Sequence, residues 1–392
     1  MLRLSLPRAA TAIAVTVAGL LAAQAESAQA QEFNVQNLVS DGSVPAANID
    51  PQLSNPWGVS YAPTGPFWIS DNNDGLTTLY TGTGAKVPLT VTIPPPGGQT
   101  FAAAPTGQVF NSTANGFQVT SGGVTGKADF IFDTEDGTIS AWAPSVSFSN
   151  AVLAVDNSGN GAGAVYKGLA IGSVGSSTYL YASNFRAGDV EIYNSSFGLV
   201  GTFTDPNVAP GYAPFNVQNL NGTLYVTFAL QDAAKHDDVA GAGNGYVDAF
   251  SLTGQFESRI VSQGGAIDSP WGLDIAPTTF GALAGDLLVG NFGDGTISIF
   301  NPTTDAYLGK LLGKNGQPIV EGDLWALING NGGSGGSTGS VYFTAGIENE
   351  SEGLFGSISA PEPGTWALMF IGLGLMGATL RERRNVQARA TA

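Results

Sequence analysis

A glycine followed five residues later by an aromatic side chain recurs along most of the chain. The pairs are Gly75–Tyr80, Gly137–Trp142, Gly188–Tyr193, Gly245–Phe250 and Gly295–Phe300, with a weaker sixth, Gly353–Ile358. Successive glycines lie 62, 51, 57, 50 and 58 residues apart, which is close to the length of a four-stranded propeller blade with its loops. The spacing therefore predicts six copies of one β-rich unit.

The stretch Pro270–Phe300 shows what one unit contains. Three short apolar runs are separated by Gly, Pro and Asp, which is typical of an antiparallel meander. Residues 293–295 (Gly-Asp-Gly) are expected to supply the positive φ angles of a tight connection. A meander of this size cannot bury both of its faces alone, so the copies are expected to pack against one another.

Each unit also begins with a characteristic first strand. These segments are Pro56-Trp57-Gly58, Pro105-Thr106-Gly107, Lys167-Gly168, Pro214-Phe215-Asn216, Pro270-Trp271-Gly272 and Leu324-Trp325-Ala326. With 55 glycines, 21 prolines and no long 3.6-residue periodicity, the chain is not helical. The predicted fold class is all-β: a six-bladed β-propeller of four-stranded antiparallel blades.

The ring must close, because open first and last blades would expose unpaired strand edges. The sixth unit shows only three strand signals, in Leu324–Ile328, Ser340–Thr344 and Leu354–Ser359, whereas Phe33–Val39 precedes the first unit as a strand without a partner. We therefore expect Phe33–Val39 to form the outer strand of the sixth blade, with the propeller spanning residues 31–360.

Residues 1–30 read as a secretory signal peptide. Arg3 and Arg8 precede an apolar stretch over residues 9–23, and Ala28-Gln29-Ala30 resembles a cleavage site, with Ala25 as a second choice. A first transmembrane helix is the alternative, but the stretch is short and rich in alanine. The sequence predicts export, with signal peptidase as a partner.

The C-terminal segment, residues 361–392, has three parts. Pro361-Glu362-Pro363 precedes an apolar segment, residues 366–380, which is followed by Arg381, Arg383 and Arg384. This order resembles the PEP-CTERM sorting signal of Gram-negative bacteria that make extracellular polysaccharide. The resemblance implies recognition by the membrane enzyme exosortase, transit through the inner membrane by a short transmembrane helix, and delivery to the outer envelope surface or the exterior. A plain C-terminal membrane anchor is the alternative.

Charge and cysteine content exclude several functions. Residues 31–360 hold 28 acidic and 8 basic side chains, a net charge near −20. Such a body repels nucleic acid and favours cations or neutral partners. The absence of cysteine from the sequence excludes disulfides and thiol catalysis. We expect a monomeric body.

Three asparagines are predicted to share one rim of the ring. Asn72, Asn184 and Asn291 each follow a second strand, and antiparallel geometry places these strand ends at the same mouth. They could bind a ligand or an ion such as calcium, because calcium prefers oxygen ligands. The favoured interpretation is ordinary turn chemistry, since Asn and Asp stabilise tight connections.

The longest polar insertion is the loop 231–245. It carries the single histidine of the sequence, His236, together with Asp232, Asp237 and Asp238. These side chains could bind a metal or provide a general base. Because their spacing in a Gly- and Ala-rich loop fixes no geometry, a solvated surface loop is favoured.

The middle of the chain also resembles a known group. The segments that carry the likeness are Asn55–Val59, Pro66–Asn72, Tyr225–Ala229 and His236–Gly241. They are similar to an uncharacterised bacterial family of exported proteins that often carry the PEP-CTERM tail. The resemblance implies a propeller of the NHL and gluconolactonase-like class, without an established activity.

Two functions follow as expectations. The first is a non-catalytic binding or matrix role in the cell envelope, with extracellular polysaccharide as a partner and no cofactor. The second is a metal-dependent hydrolase of the gluconolactonase-like class acting on a lactone or ester, with a divalent cation such as calcium.

Overall fold

The computed structural model describes residues 32–159 and 161–361. These residues form a six-bladed β-propeller in which every blade contains four antiparallel strands. The predicted fold class is confirmed. The predicted signal peptide and most of the sorting segment lie outside the described residues.

The strands follow one another around the ring in chain order. Before the first blade lie β1 (Glu32–Ser40) and β2 (Asn48–Ile49). Blade 1 contains β3 (Pro56–Ser60), β4 (Phe67–Asp71), β5 (Leu76–Tyr80) and β6 (Lys86–Thr92). Blade 2 contains β7 (Pro105–Phe110), β10 (Phe130–Thr134), β11 (Thr138–Trp142) and β12 (Val152–Asp156), with an inserted hairpin of β8 (Gln118–Ser121) and β9 (Val124–Lys127).

The next two blades are regular. Blade 3 contains β13 (Tyr166–Val174), β14 (Ser177–Asn184), β15 (Asp189–Asn194) and β16 (Leu199–Phe203). Blade 4 contains β17 (Tyr212–Leu220), β18 (Thr223–Leu230), β19 (Tyr246–Ser251) and β20 (Phe256–Val261).

The last two blades include short helical segments. Blade 5 contains β21 (Pro270–Ile275), β22 (Leu287–Asn291), β23 (Ile297–Phe300) and β24 (Tyr307–Lys310), with a 3-10 helix at Thr278–Leu283. After the short β25 (Leu312–Gly313), blade 6 contains β26 (Leu324–Asn329), β27 (Ser340–Ala345), a helical turn at Ile347–Glu350 and β28 (Leu354–Ser359).

The first strand of the described chain closes the ring. β1 pairs antiparallel with β28, with Asn34 opposite Ser359 and Ser40 opposite Leu354, and thereby forms the outer strand of blade 6. Its Phe33 side chain is 1% exposed and packs on Phe280 of blade 5 with ring centroids 4.4 Å apart. The predicted closure is confirmed, because these pairings join the two ends of the described chain.

Glycine is needed where the inner strands approach one another. A Cβ atom on Gly58 would lie 2.4 Å from the carbonyl oxygen of Thr106, and one on Gly107 would lie 2.2 Å from the amide nitrogen of Leu169. Real Cβ atoms do not approach backbone atoms this closely, so a side chain here would push neighbouring blades apart.

The turn at residues 293–295 differs in part from the prediction. Gly295 has the expected positive φ, 69°, but Gly293 and Asp294 do not. Gly293 is required for space instead, because a Cβ atom there would lie 2.1 Å from Oδ1 of Asp268.

The antiparallel order gives the ring two distinct faces. Loops that join second to third strands, and each blade to the next, lie on one side, which we call the upper face. Loops that join first to second strands and third to fourth strands lie on the other side, the lower face.

Several carboxyl groups are buried within the blades. Burial raises the pKa of Asp133 to about 7 and the pKa of Asp274 to about 8, and it also raises the pKa of Asp71. Since these groups keep a proton in the folded state at a pH where the unfolded chain has released it, folding takes up protons between about pH 4 and pH 8.

We therefore expect the fold to lose stability as pH rises through this window. Each unit of pKa difference changes the free energy of unfolding by about 1.4 kcal/mol. Urea unfolding at several pH values should show the decline, and Asp274→Asn should flatten part of it. In Asp156→Asn the decline should persist. Hydrogen bonding from Ser158 lowers the pKa of that exposed carboxyl, so Asp156 takes up no proton on folding between about pH 4 and pH 8. Equal slopes for wild type and Asp274→Asn would contradict the prediction.

Candidate functional site

An aromatic cluster fills the ring axis beneath the upper face. Trp57, Trp271 and Trp325 begin the inner strands of three blades, and all are at most 3% exposed. Trp57 stacks on Trp325 with ring centroids 3.4 Å apart, and Trp271 meets Trp325 edge to face at 5.7 Å. These rings are packed against one another, so they do not form an open platform for stacking on sugars.

Below the cluster the axis widens into a cavity. Its volume is about 420 Å³, and the inner strands of all six blades line it. The aromatic cluster therefore separates this lower cavity from the upper mouth.

Lys167 occupies the position that tryptophan or phenylalanine holds in four other inner strands. It is the second residue of β13 and is 2% exposed. Its ammonium lies 5.1 Å from the ring centroid of Trp57, a cation–π contact. A lysine at this level places a positive charge on the axis, directly above the aromatic cluster.

Two carboxylates pair with that charge and leave the three groups with a net charge of −1. The Lys167 ammonium donates to Oε1 of Glu135, which follows β10, and to Oδ1 of Asp237 at 3.3 Å. Burial disfavours the cation, but the negative charges of Glu135 and Asp237 outweigh it and raise the pKa of Lys167. The lysine is therefore charged at neutral pH and is not an available base or nucleophile.

Amide side chains extend this network across the ring. Nδ2 of Asn72 donates to Oε2 of Glu135 at 3.0 Å. Nδ2 of Asn55 donates to Oε2 of Glu350 at 3.1 Å, and Oδ1 of Asn55 accepts a hydrogen bond from Nε1 of Trp325 at 3.1 Å. Nδ2 of Asn55 also donates to Oδ1 of Asn72 at 3.4 Å, and this contact joins the two sets. The network thus links blades 1, 2, 3, 4 and 6 into one connected polar site.

Glu350 reaches the mouth from a strained turn. Glu348, Asn349 and Glu350 have φ angles of 59°, 56° and 63°, a left-handed conformation that is unfavourable for residues other than glycine. The carbonyl oxygen of Glu350 accepts a hydrogen bond from Nδ2 of Asn73 at 2.9 Å, which helps to hold the turn. Burial raises the pKa of Glu350 to about 7. A strained turn that delivers a partly protonated carboxyl to the mouth is a feature often found at functional sites.

The loop 231–245 lies over the same mouth. Oδ1 of Asp232 accepts the backbone N–H of His236 at 2.8 Å, and Nδ1 of His236 lies 2.8 Å from Oδ1 of Asp237. This hydrogen bond raises the pKa of His236 and lowers that of Asp237 to about 2. The favoured expectation of a freely solvated loop does not describe this geometry, because His236 and Asp237 lie against Lys167 and Glu135.

Asp238 differs from its neighbours in the loop. Burial raises its pKa to about 6, and its Oδ2 atom has no hydrogen-bond partner among the described residues. The positive charge of Lys167 acts in the opposite direction and lowers this pKa. Asp238 thus adds a further, partly protonated acid close to the mouth.

The three rim asparagines are not brought together. Asn72 joins the axial network, as described above. Asn184 donates to Oε1 of Glu191 at 2.8 Å within blade 3, and Asn291 donates to Oγ of Ser298 at 3.1 Å within blade 5. Asn184 and Asn291 thus stabilise their own strand connections, and a ligand-binding role for the three remains a prediction.

The sorting residues lie at or beyond the end of the described chain. Pro361 is exposed and is the last described residue, whereas Glu362, Pro363, Arg381, Arg383 and Arg384 lie outside the described residues. Within residues 32–159 and 161–361, no helix has the length and apolar character needed to span a bilayer.

Comparison with known proteins identifies relatives over most of the chain. Uncharacterized protein R648 of Acanthamoeba polyphaga mimivirus is 30% identical over 337 residues, which are 83% of this chain and 80% of that protein. Uncharacterized protein L690 of the same virus is 30% identical over 333 residues, 83% of this chain and 85% of that protein. The chain belongs to the same family as these two proteins. Both relatives are viral and uncharacterised, so the resemblance to a bacterial group stays a prediction.

The sorting signal is matched independently of that family. Residues 359–384 match the PEP-CTERM protein-sorting motif. The protein is therefore an exported, envelope-associated protein that is processed by machinery of the exosortase type.

Solved structures that are similar to this chain have low sequence identity to it. The soluble aldose sugar dehydrogenase of Escherichia coli in its apo form has a TM-score of 0.50 at 12% identity, covering 84% of this chain and all of that chain. Virginiamycin B lyase of Staphylococcus aureus has a TM-score of 0.49 at 13% identity, covering 84% of this chain and all of that chain. At 12% identity, the likeness to the dehydrogenase shows the propeller fold alone.

Sequence reasoning missed four residues of the axial site: Asn55, Glu135, Lys167 and Glu350. One signal was present for Lys167. Among the six first-strand segments, Lys167-Gly168 alone has a charged residue at the position where the others have Trp, Thr or Phe. No comparable pattern marks Glu135 or Glu350, which lie in short loops.

Proposed function

We propose that this exported propeller is a non-catalytic binding protein whose upper mouth binds a hydroxyl-rich extracellular polysaccharide. The observation that carries the proposal is the Lys167 ammonium, which already bonds Glu135 and Asp237. The ammonium balances one of the two carboxylates and the cluster keeps a net charge of −1, so Lys167 is neither a free base nor a nucleophile and the site offers polar binding groups.

The chemistry of the mouth suits a neutral ligand. Carboxylates and amide oxygens accept hydrogen bonds from sugar hydroxyls, and Glu350 and Asp237 offer such oxygens beside the amide of Asn73. The strongly acidic body repels anionic polymers at low ionic strength. A neutral polysaccharide is therefore favoured over one rich in uronic acids or phosphate.

A binding assay with the protein purified from its envelope fraction tests this proposal. We expect saturable binding to a neutral polysaccharide, weaker binding to an anionic one, and no turnover of either. Glu350→Gln and Asp237→Asn should weaken the binding, whereas Glu257→Gln, on the outer strand β20, should not. Binding that is insensitive to both mouth substitutions, or no binding to neutral polysaccharides, would overturn the proposal.

A metal-dependent hydrolase is the second candidate because three potential ligands converge. One carboxylate oxygen each from Glu135 and Asp237 and a ring nitrogen of His236 lie within 4.8 Å of one another. The same acids hold the Lys167 ammonium, however, and an ion bound to Oδ1 of Asp237 would lie within about 6 Å of it. The repulsion is roughly 3 kcal/mol per unit of ion charge at an effective dielectric constant of about 20, so the residues present do not fit a divalent ion well.

Metal analysis separates the two candidates. We expect the purified protein to contain no stoichiometric calcium or zinc and to hydrolyse neither lactones nor esters after incubation with these ions. The metal-dependent hydrolase would be established instead if the protein contained stoichiometric metal and hydrolysed a lactone or ester, and if His236→Ala lost both the metal and the hydrolysis. Lys235→Ala, in the same loop but pointing to solvent, is the matched control.

A further inference from the structure

The two faces of the propeller differ strongly in charge. The lower-face loops of the described chain contain four charged residues: Lys127, Asp129, Asp286 and Asp305. The adjoining starts of the outer strands add Glu32, Glu257 and Lys86, which pairs with Asp50. The upper-face loops hold most of the acids, including Glu135, Asp237 and Glu350 of the axial site. The negative charge of the body is therefore concentrated on the upper side.

Exposed apolar side chains occur at matching positions of four successive blades. Each lies where the third strand has ended and the outer strand begins. They are Phe148 (69% exposed), Leu199 (55%), Val200 (54%), Phe256 (47%), Tyr307 (47%) and Leu308 (48%). We call these six residues the apolar rim. Single exposed apolar residues are common, but the same position in four neighbouring blades forms a belt along one side of the ring.

The chain leaves the propeller at this level. Ser359, the last residue of β28, pairs with Ser340 and with Asn34 at the lower side of blade 6. In the other blades the third strand turns here into the outer strand, whereas in blade 6 the chain continues to Pro361. The apolar segment begins at Trp366, five residues later. Five extended residues span at most about 18 Å, so a tail inserted in a membrane would hold the lower face close to it.

We propose that the lower face lies on the lipid bilayer that the tail enters, with the apolar rim at the level of the headgroups. The lower-face loops suit this position, because few charges lose their hydration there. The apolar side chains gain by leaving water. The acidic upper face would be repelled by anionic lipids, so the axial mouth points away from the membrane. This orientation is independent of the ligand proposed above.

The absence of cysteine from the sequence makes a direct test feasible. Ser196→Cys and Thr303→Cys place a single label on exposed lower-face loops, and Lys235→Cys places one on the upper face. The full-length chain is reconstituted into vesicles of phosphatidylethanolamine and phosphatidylglycerol that contain nitroxide-labelled lipid. We expect fluorophores at positions 196 and 303 to be quenched several-fold more than a fluorophore at position 235.

A variant of the rim provides the control. Changing Phe148, Leu199, Phe256 and Tyr307 to serine should reduce quenching at position 196 to the level at position 235, while the tail keeps the protein in the vesicles. Equal quenching at positions 196, 303 and 235 in the protein with an unaltered apolar rim would overturn the proposal. Disulfide cross-linking of two Ser196→Cys chains, without lipid quenching, would also overturn it, because a second copy would then cover the face.

Discussion

A chain lacking residues 33–39 is expected to unfold several kcal/mol more easily than the intact protein. The deletion removes the outer strand of blade 6, including Phe33, Leu38 and Val39, which are at most 2% exposed. Burial of each such side chain contributes roughly 1.5 to 3 kcal/mol. The deletion also exposes the edge of β28, whose unpaired backbone groups promote association with other chains. Urea unfolding and light scattering would measure the two effects.

Single substitutions in the same strand provide a matched pair. Phe33→Ala should cost about 3 to 5 kcal/mol, because it leaves a cavity against Phe280. Val35→Ala changes a side chain of β1 that is 37% exposed, and it should cost less than about 1 kcal/mol. An unchanged unfolding midpoint after the deletion, or equal costs for the two substitutions, would show that the ring does not depend on this strand.

Lys167→Met is the second change with a large expected effect. Methionine retains most of the apolar length but removes the ammonium, so Glu135, whose side chain is 13% exposed, loses its cationic partner and keeps the hydrogen bond from Asn72. Removing one member of a buried ion pair typically costs 3 to 5 kcal/mol. We expect about 3 kcal/mol at pH 8, the low end, since the Asp237 side chain is 67% exposed and stays hydrated.

The cost should depend on pH in a definite direction. Burial raises the pKa of Glu350 and of Asp238, and the charge of Lys167 lowers both. Without Lys167, the folded-state pKa values of these two carboxyls therefore rise further above their unfolded values. The folded variant then binds protons more readily than the unfolded chain, so its deficit in stability should shrink as the pH falls from about 8 to 5.

Two controls make this prediction specific. Lys235→Met changes an exposed lysine of the neighbouring loop and should have little effect at any pH. Glu135→Gln combined with Lys167→Met should recover part of the lost stability, because it removes the unpaired charge. A deficit that is independent of pH and not reduced by Glu135→Gln would mean that Lys167 contributes packing alone.

The repeat and the ring were accessible from sequence because they rest on local patterns. Alternating side chains specify strands, and Gly75 or Gly295 supplies the positive φ of a connection whatever lies elsewhere in the chain. The outer strand of blade 6 could also be inferred. The sixth unit has three strands and one strand without a partner precedes the first unit, so pairing them is the one way to close the ring. The sorting motif is linear, so its residues needed no fold to be read.

The axial site depended on tertiary structure. Lys167 and Asp237 are 70 residues apart in sequence, and Asn55 and Glu350 are 295 apart. Asn72, Asn184 and Asn291 occupy equivalent places in the repeat, yet Asn72 is the one that meets Glu135 of the next blade. Repetition in sequence determines where a side chain lies within its own blade. Ring closure decides which charges from different blades meet on the axis, because it is the closed ring that brings those distant positions within hydrogen-bonding distance.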